Sequence, residues 1–166
     1  MTSPQLRSAR TPDVRGIRTL VGPYVESKAI VDKPVVSYFE SLSEFVVVEL
    51  DGEIVGCGAL HVIWENVAEV RTLAVSPTVK GRGIGSMILD ELVRRARAVG
   101  VSRVFCLTFE TAFFGRHGFV EIEGAPVTRE VYAELLQSYD EGVAEFLDLD
   151  RVKPNTLGNT RMLLQL

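Results

Sequence analysis

Cysteine is scarce in this chain: Cys57 and Cys106 are the only two among 166 residues, and no C-x-x-C spacing joins them. That excludes a disulfide framework or a cysteine-rich zinc site, and makes buried, reduced thiols the expectation. Two histidines do not make up the shortfall, so no metal site is expected. No apolar run approaches the roughly 20 residues that span a bilayer. The N-terminus lacks the charged-then-apolar pattern of an export signal. A cytoplasmic protein without a membrane partner is therefore expected. Positive charge is not in excess either, since 18 Lys and Arg stand against 22 Asp and Glu for a net charge of −4. Without a broad basic face, nucleic acid is not expected as a partner, and any anionic ligand must be held by a few well-placed cations. Internal repeats, low-complexity tracts and linkers are absent too.

What the chain does have is a core. With 46% hydrophobic and 24% charged residues, 1–166 reads as a single domain. Residues 6–10 form a short strand candidate, after which Thr11 is positioned to cap a helix with Pro12 first and Asp13 in its opening turn. Val14, Ile17, Leu20, Val21 and Tyr24 repeat on one face of that helix. A polar stretch follows, broken at Pro34, with a short helix through Tyr38 and Phe39; it is the expected mobile segment. Residues 45–50 and 53–63 are rich in β-branched side chains and flank Asp51-Gly52, a strong hairpin signal. Residues 69–75 form the next strand. Over 83–99, Ile84, Ile88, Leu92 and Ala96 stand four apart, a helical stripe that Gly100 ends. Residues 103–108 read as a strand. Phe113, Phe114 and Phe119 bracket a short helix stopping at Gly118, and core packing is weighed equally with a cofactor contact for Phe113 and Phe119. Beyond Pro126, Thr128 caps a helix carrying Val131, Leu135 and Leu136, a second helical stretch covers 139–147, and Met162, Leu164 and Leu166 alternate with polar residues in a closing strand.

Lys80-Gly81-Arg82-Gly83-Ile84-Gly85 lies between a strand and the longest helix. Glycines there let the backbone approach an anion, and the first-turn N–H groups and helix dipole favour negative charge. The run is not a P-loop, which needs Gly-Lys followed by Ser or Thr, nor does it have the G-x-G-x-x-G dinucleotide spacing. On Lys80, Gly83 and Gly85 it resembles the Q/R-x-x-G-x-G/A signature of the GNAT N-acetyltransferases. Lys80 keeps the positive charge of the first position as a point charge without a planar fork. The order of elements over nearly the whole chain is also similar to that family. Glu69-Val70-Arg71-Thr72-Leu73-Ala74-Val75, Leu107-Thr108-Phe109-Glu110-Thr111, residues 114–119 and residues 153–162 resemble the short, stand-alone actinobacterial N-acetylglutamate synthases. Gly56-Cys57-Gly58-Ala59-Leu60 resembles a strand of longer bacterial synthases, whose arginine-binding kinase domain has no counterpart in these 166 residues.

The resemblance implies an α/β GNAT fold, a central mixed sheet flanked by helices, with acetyl-CoA as co-substrate and no metal. It implies a pyrophosphate cradle of Lys80, Gly81, Arg82, Gly83, Ile84, Gly85 and Ser86. A pantetheine arm would pair with Leu73, Ala74 and Val75, close to Phe114. One backbone N–H there would face the thioester oxygen as charge grows on it. Glu69 is implied as the base, acting through water, with Glu110 in reserve. Thr111 is a candidate hydroxyl for the departing thiolate, with helix capping as its other reading. Lys33, Arg71, Lys153 and Arg161 are the candidate cations for the acceptor's carboxylates, aided by Asn155, Asn159 and Thr160. The implied activity is acetyl transfer to the α-amino group of L-glutamate or L-glutamine, the first step of arginine biosynthesis. Another small amine, a protein N-terminus and a silent acyl-CoA sensor are the alternatives. A homodimer is the expected assembly.

Overall fold

In the computed structural model, residues 2–152 and 158–166 are described; Lys153 and Asn155 lie outside them. Asp51 at φ 52° and Gly52 at φ 83° both adopt the left-handed conformation that a tight two-residue hairpin needs. This turn joins β2 (Phe45–Leu50) to β3 (Glu53–Trp64). β1 (Gln5–Ser8) pairs on the outer side of β2, and β4 (Val67–Val75) follows β3 antiparallel. β5 (Arg103–Thr108) lies parallel to β4, as a helical crossover requires, and β7 (Thr160–Gln165) and β6 (Val120–Glu121) complete the order β1-β2-β3-β4-β5-β7-β6.

Layers form on both faces of the sheet. α3 (Ile84–Val99) sets Ile84, Ile88, Leu89, Leu92 and Ala96 against Val46, Val48, Ala68, Val70 and Val104. On the opposite face, α1 (Val14–Glu26) packs Val14, Ile17 and Val21 on Phe45, Val47 and Cys57, with α2 (Val35–Glu40) adding Tyr38. That face continues over β5 and β7, where α5 (Arg129–Leu135) and α6 (Glu141–Phe146) bury Leu135, Val143 and Phe146 on Phe105 and Leu163. The Val46-Val47-Val48 run is apolar without alternation because both of its sides are covered. α4 (Thr111–Arg116) follows β5.

One expected cap is different. Thr11–Asp13 is a separate 3₁₀ turn, and α1 begins after it. Asp13 accepts hydrogen bonds from Arg7 at 2.7 and 3.0 Å and from the Arg10 N–H at 2.7 Å, so the buried carboxylate ties the turn to β1 and Thr11 caps nothing. The other caps follow expectation: the Thr128 hydroxyl accepts from the Val131 N–H, and Gly100 ends α3 at φ 104°.

Two irregularities in β4 shape the site. Thr72 takes φ 55°, and the β3–β4 register slips between Cys57 and Ala59. Such a bulge adds one residue and reverses the alternation of side chains beyond it. Ala68 and Val70 therefore face α3 before the bulge, yet Leu73 and Val75 face α3 after it, while Ala74 turns to the α1 side. The second irregularity is that β4 and β5 pair only at Val67, Ala68 and Glu69, opposite Arg103, Val104 and Phe105. Beyond Glu69 the strands part, and backbone groups of β4 face an open cleft.

The sheet lies close to α3 because glycine lines that contact. A Cβ built at Gly58 would stand 2.7 Å from Ile88 Cγ2 and 3.0 Å from Leu92 Cδ1. Gly58→Ala is expected to cost about 1–3 kcal/mol through overpacking, lowering the urea midpoint with an unchanged m value.

Candidate active site

Two cavities open from the place where β4 and β5 part. The first is lined by the end of α1, by Ala29, Ile30, Val31 and Lys33 of the α1–α2 connection, by β4 from Glu69 to Leu73, by the end of β5, and by Gly142, Glu145 and Asn159. The second runs from Leu73 and Val75 to Lys80, Gly81, Gly83, Ile84, Gly85 and Ser86. Tyr24, Leu73, Thr108, Glu110 and Phe114 line both and so mark the junction.

The glycine turn has the geometry of an anion cradle. Gly81 and Gly83 take φ 80° and 78°, and no side chain or neighbouring backbone lies within 4 Å of a Cβ built at either. The conformation requires glycine, and the space in front of it is open. Gly85 has a different reason: its Cβ would stand 3.3 Å from the Phe113 ring. The first-turn N–H groups of α3 have no residue four back within the helix to bond, leaving them to a ligand. The Ser86 hydroxyl lies 3.0 Å from His117 Nε2, and His117 Nδ1 lies 3.7 Å from Asp90, which fixes that hydroxyl at the turn.

Most of the expected cofactor residues meet here, with two corrections. Ala74 pairs with Cys57 of β3 and lines neither cavity; the bulge sends it the other way. Arg82 is exposed and is absent from the cavity wall. Phe114, edge-on to Phe113 and Phe119 at ring distances of 5.2 and 5.1 Å, does line the junction. Phe113 lines the cofactor side and Phe119 is core, which separates two residues that sequence patterning weighed equally.

The acceptor side is built around Arg71. Its Nε donates to Glu69 at 2.8 Å, and its Nη2 stands 2.8 Å from Asp140, outside hydrogen-bond geometry. The guanidinium therefore keeps a buried N–H group with no hydrogen-bond acceptor among the described residues. Burial works against its charge, but Glu69 and Asp140 outweigh it and hold Arg71 above its ordinary pKa. The helix start at α6 is shaped to this group: a Cβ on Gly142 would fall 2.3 Å from the Arg71 Cζ. Lys33 donates to the Thr72 hydroxyl at 3.3 Å, and burial, followed by repulsion from Arg71, pushes its ammonium below the usual lysine range. Glu145 moves the other way. Burial first and Glu69 second raise its carboxyl from the ordinary 4.5 to about 7. Sequence reasoning missed Asp140, Gly142 and Glu145 because helix patterning shows the packed side of α6 and says nothing of what its other side meets.

Three other expectations meet different geometry. Thr111 is exposed at the start of α4, next to Glu110 of the junction, and is not itself among the residues lining either cavity. Its capping reading fares no better, because no side-chain cap bond is made at that helix start. Arg161 is taken up by backbone: Nε donates to Gly124 O at 2.8 Å, Nη1 to Glu145 O at 3.1 Å and Nη2 to Phe146 O. It clamps the end of α6, stacked 4.9 Å over Phe105. Thr160 pairs with Thr108 across the β5–β7 ladder and lines neither cavity. Asn159 does line the acceptor side.

Among the described residues no group of His, Cys, Asp and Glu is arranged to hold a metal, and no helix is long and apolar enough to cross a membrane. Cys57 and Cys106 are buried and free, and burial raises the Cys57 thiol to about 12.

A splayed parallel pair with a glycine turn at one end and a charged cavity at the other defines an acyl-CoA-dependent transferase. The chain belongs to the acetyltransferase (GNAT) family, whose profile matches residues 17–119. It is 55% identical over 166 residues to the amino-acid acetyltransferase of Mycobacterium tuberculosis, covering 98% of this chain and 95% of that protein. A crystal structure from M. tuberculosis in complex with CoA and NLQ superposes with a TM-score of 0.94 at 55% identity, covering 98% of this chain and 99% of the other. The N-acetylglutamate synthase of Neisseria gonorrhoeae, complexed with coenzyme A and N-acetyl-glutamate, shares the fold at a TM-score of 0.78 and 23% identity; this chain matches 36% of its length.

Gly142→Ala is expected to displace Arg71 and raise the acceptor KM at least several-fold while leaving CoA affinity unchanged, measured by steady-state kinetics and calorimetry. A second expectation concerns pH. Glu145 binds its proton more tightly folded than unfolded, so its contribution to stability is complete below pH 4.5 and is lost as pH rises through about 7. Glu145→Gln should therefore match the parent in denaturant melts near pH 4 and exceed it above pH 7, by at most about 3 kcal/mol.

Proposed function

We propose that this protein transfers the acetyl group of acetyl-CoA to the α-amino group of L-glutamate or L-glutamine, as a first step of arginine biosynthesis in the cytoplasm. The single observation that carries the reading is the open path from the glycine turn to a cavity holding both signs of charge, Lys33 and Arg71 beside Glu69 and Glu145. The likeness to an amino-acid acetyltransferase over nearly the full length of both chains supports it. The residues present fit the co-substrate. Gly81, Gly83 and the start of α3 would hold its phosphates, and the open edge of β4 would pair with its pantetheine amides, as an added strand pairs with a sheet edge. When bound, it supplies an activated acetyl group.

Within that reading, Glu69 receives a proton from the acceptor's ammonium through water. Its side chain is one of the few buried carboxylates, 4% exposed, and one of its oxygens is fixed by Arg71. Arg71 and Lys33 hold the carboxylate side, with Asn159 as a polar neighbour; a substrate role for Arg161 requires it to leave the α6 carbonyls. We treat the chain as one domain acting on small molecules, with neither membrane nor nucleic acid as partner and with a homodimer as its assembly.

Acetyl-CoA turnover across a panel of amines tests the proposal. Glutamate or glutamine should be the preferred acceptor, and polyamines or peptide N-termini outperforming both would overturn it. Glu69→Gln should lower kcat at neutral pH by about 10²-fold or more with acetyl-CoA affinity little changed. Unaltered turnover in that variant would remove Glu69 from the proton path.

A further inference from the structure

The departing sulfur of acetyl-CoA needs a proton, and Thr111 lines neither cavity. Among the residues common to both cavities, Tyr24 and Thr108 carry hydroxyls. Thr108 is buried at the strand end with its Oγ1 receiving the Glu110 N–H at 2.8 Å, and its aliphatic hydroxyl is a far weaker acid than a phenol. Tyr24 reaches the junction from α1 on the opposite wall. Its hydroxyl donates to the Val75 carbonyl at 2.6 Å.

That contact fixes where the phenol stands. The Ser76 N–H bonds Val55 O on the β3 side at 2.8 Å, so by strand alternation the backbone groups of Val75 point the other way, into the cleft. Tyr24 therefore holds its O–H on the open edge of β4, where the pantetheine arm would lie. In the free protein the single phenol proton is donated to Val75; delivering it to sulfur requires the O–H to turn from that carbonyl, whose place a pantetheine amide N–H can then take. The tyrosine is well anchored: its own carbonyl accepts from Ala29 N at 2.8 Å, Ile30 N at 3.0 Å and the Ser27 hydroxyl at 3.1 Å, closing the end of α1 around it.

We infer that Tyr24 is the proton donor to the CoA sulfur. This rests on the acetyltransferase reading and adds a catalytic residue to it. As the acceptor nitrogen bonds to the acetyl carbon, the carbon–sulfur bond breaks with its electron pair left on sulfur, and the Tyr24 O–H delivers its proton there. Glu69 has taken one proton from the ammonium before attack; the second, lost from nitrogen as the amide forms, returns through water to the phenolate, so no other reactant is needed.

Tyr24→Phe keeps the ring and removes only the donor. The direct test is the ionisation of CoA bound to wild type and to this variant, followed by thiolate ultraviolet absorbance against a desulfo-CoA complex as blank. An O–H that turns to sulfur when CoA binds stabilises the thiolate, so the midpoint of bound CoA should rise by about one pH unit or more in Tyr24→Phe. Turnover should fall about 10²-fold. Equal CoA midpoints in wild type and variant would overturn the proposal, as would a loss confined to CoA affinity. The thiolate measurement uses no acceptor, so failure of wild type to acetylate glutamate or glutamine would refute the substrate reading and leave the Tyr24 assignment standing.

Discussion

The site depends on one failure of pairing: β4 and β5 share three residues of parallel ladder and then separate. A fully zipped pair would satisfy every β4 backbone group and leave nothing for a ligand. Because the strands part beyond Glu69, Leu73 presents edge groups at the junction of the two cavities and Val75 does so on the glycine-turn side. The bulge at Thr72 sets what lies on either side of that edge. Before it, Glu69 and Arg71 point to the acceptor cavity; after it, the apolar side chains of Leu73 and Val75 pack toward α3 while their backbone faces the cleft. One extra residue thus divides a single strand into a charged half and a pairing half, at the cost of one non-glycine residue at φ 55°.

Arg71 is the pivot of the charged half. A lone buried guanidinium is costly, and here Glu69 and Asp140 flank it from β4 and from the start of α6. Asp140 serves twice, since one of its oxygens also accepts the Val143 N–H at 2.9 Å and caps α6. Gly142 leaves room for the guanidinium against the helix, and Arg161 closes the other end of the same helix through its carbonyls. α6 has only six residues and is held by these polar contacts as much as by Val143 and Phe146. Its position and that of Arg71 are consequently a single variable.

Much of the frame was legible from sequence because local rules govern it. The Asp51-Gly52 turn, the four-residue stripe of α3, the Gly100 stop and the glycine cradle each announce themselves within a few residues. The Glu69–Arg71 ion pair was half legible, since two-residue spacing alone put both on one face. What could not be read is what depends on partners far along the chain. Period-two alternation holds as far as Arg71 and then fails, with Arg71-Thr72 polar together and Leu73-Ala74-Val75 apolar together; that break does not by itself say which way Ala74 turns, which only the pairing with β3 fixes. Arg161 reads as a substrate cation in a polar segment, and only the approach of Gly124, Glu145 and Phe146 shows its guanidinium to be taken up. Tyr24 reads as one more apolar position of an amphipathic helix until its hydroxyl is found on Val75.

The electrostatics of the acceptor cavity favour a ligand carrying both signs of charge. Lys33 is held below its ordinary range and Glu145 is raised to about 7, each mainly by burial, so burial disfavours the charged form of both. A ligand carboxylate near Lys33 would favour the ammonium, and a ligand ammonium near Glu145 would favour the carboxylate. Binding near neutral pH would then be coupled to proton release at Glu145. A purely cationic amine would satisfy Glu145 while meeting repulsion from Lys33 and Arg71. A simple dianion would do the reverse. An α-amino acid supplies both groups on one carbon, within the reach of a cavity whose opposite walls are β4 and α6. Selection of such a molecule by a protein of net charge −4 is thus a property of four side chains rather than of the overall field.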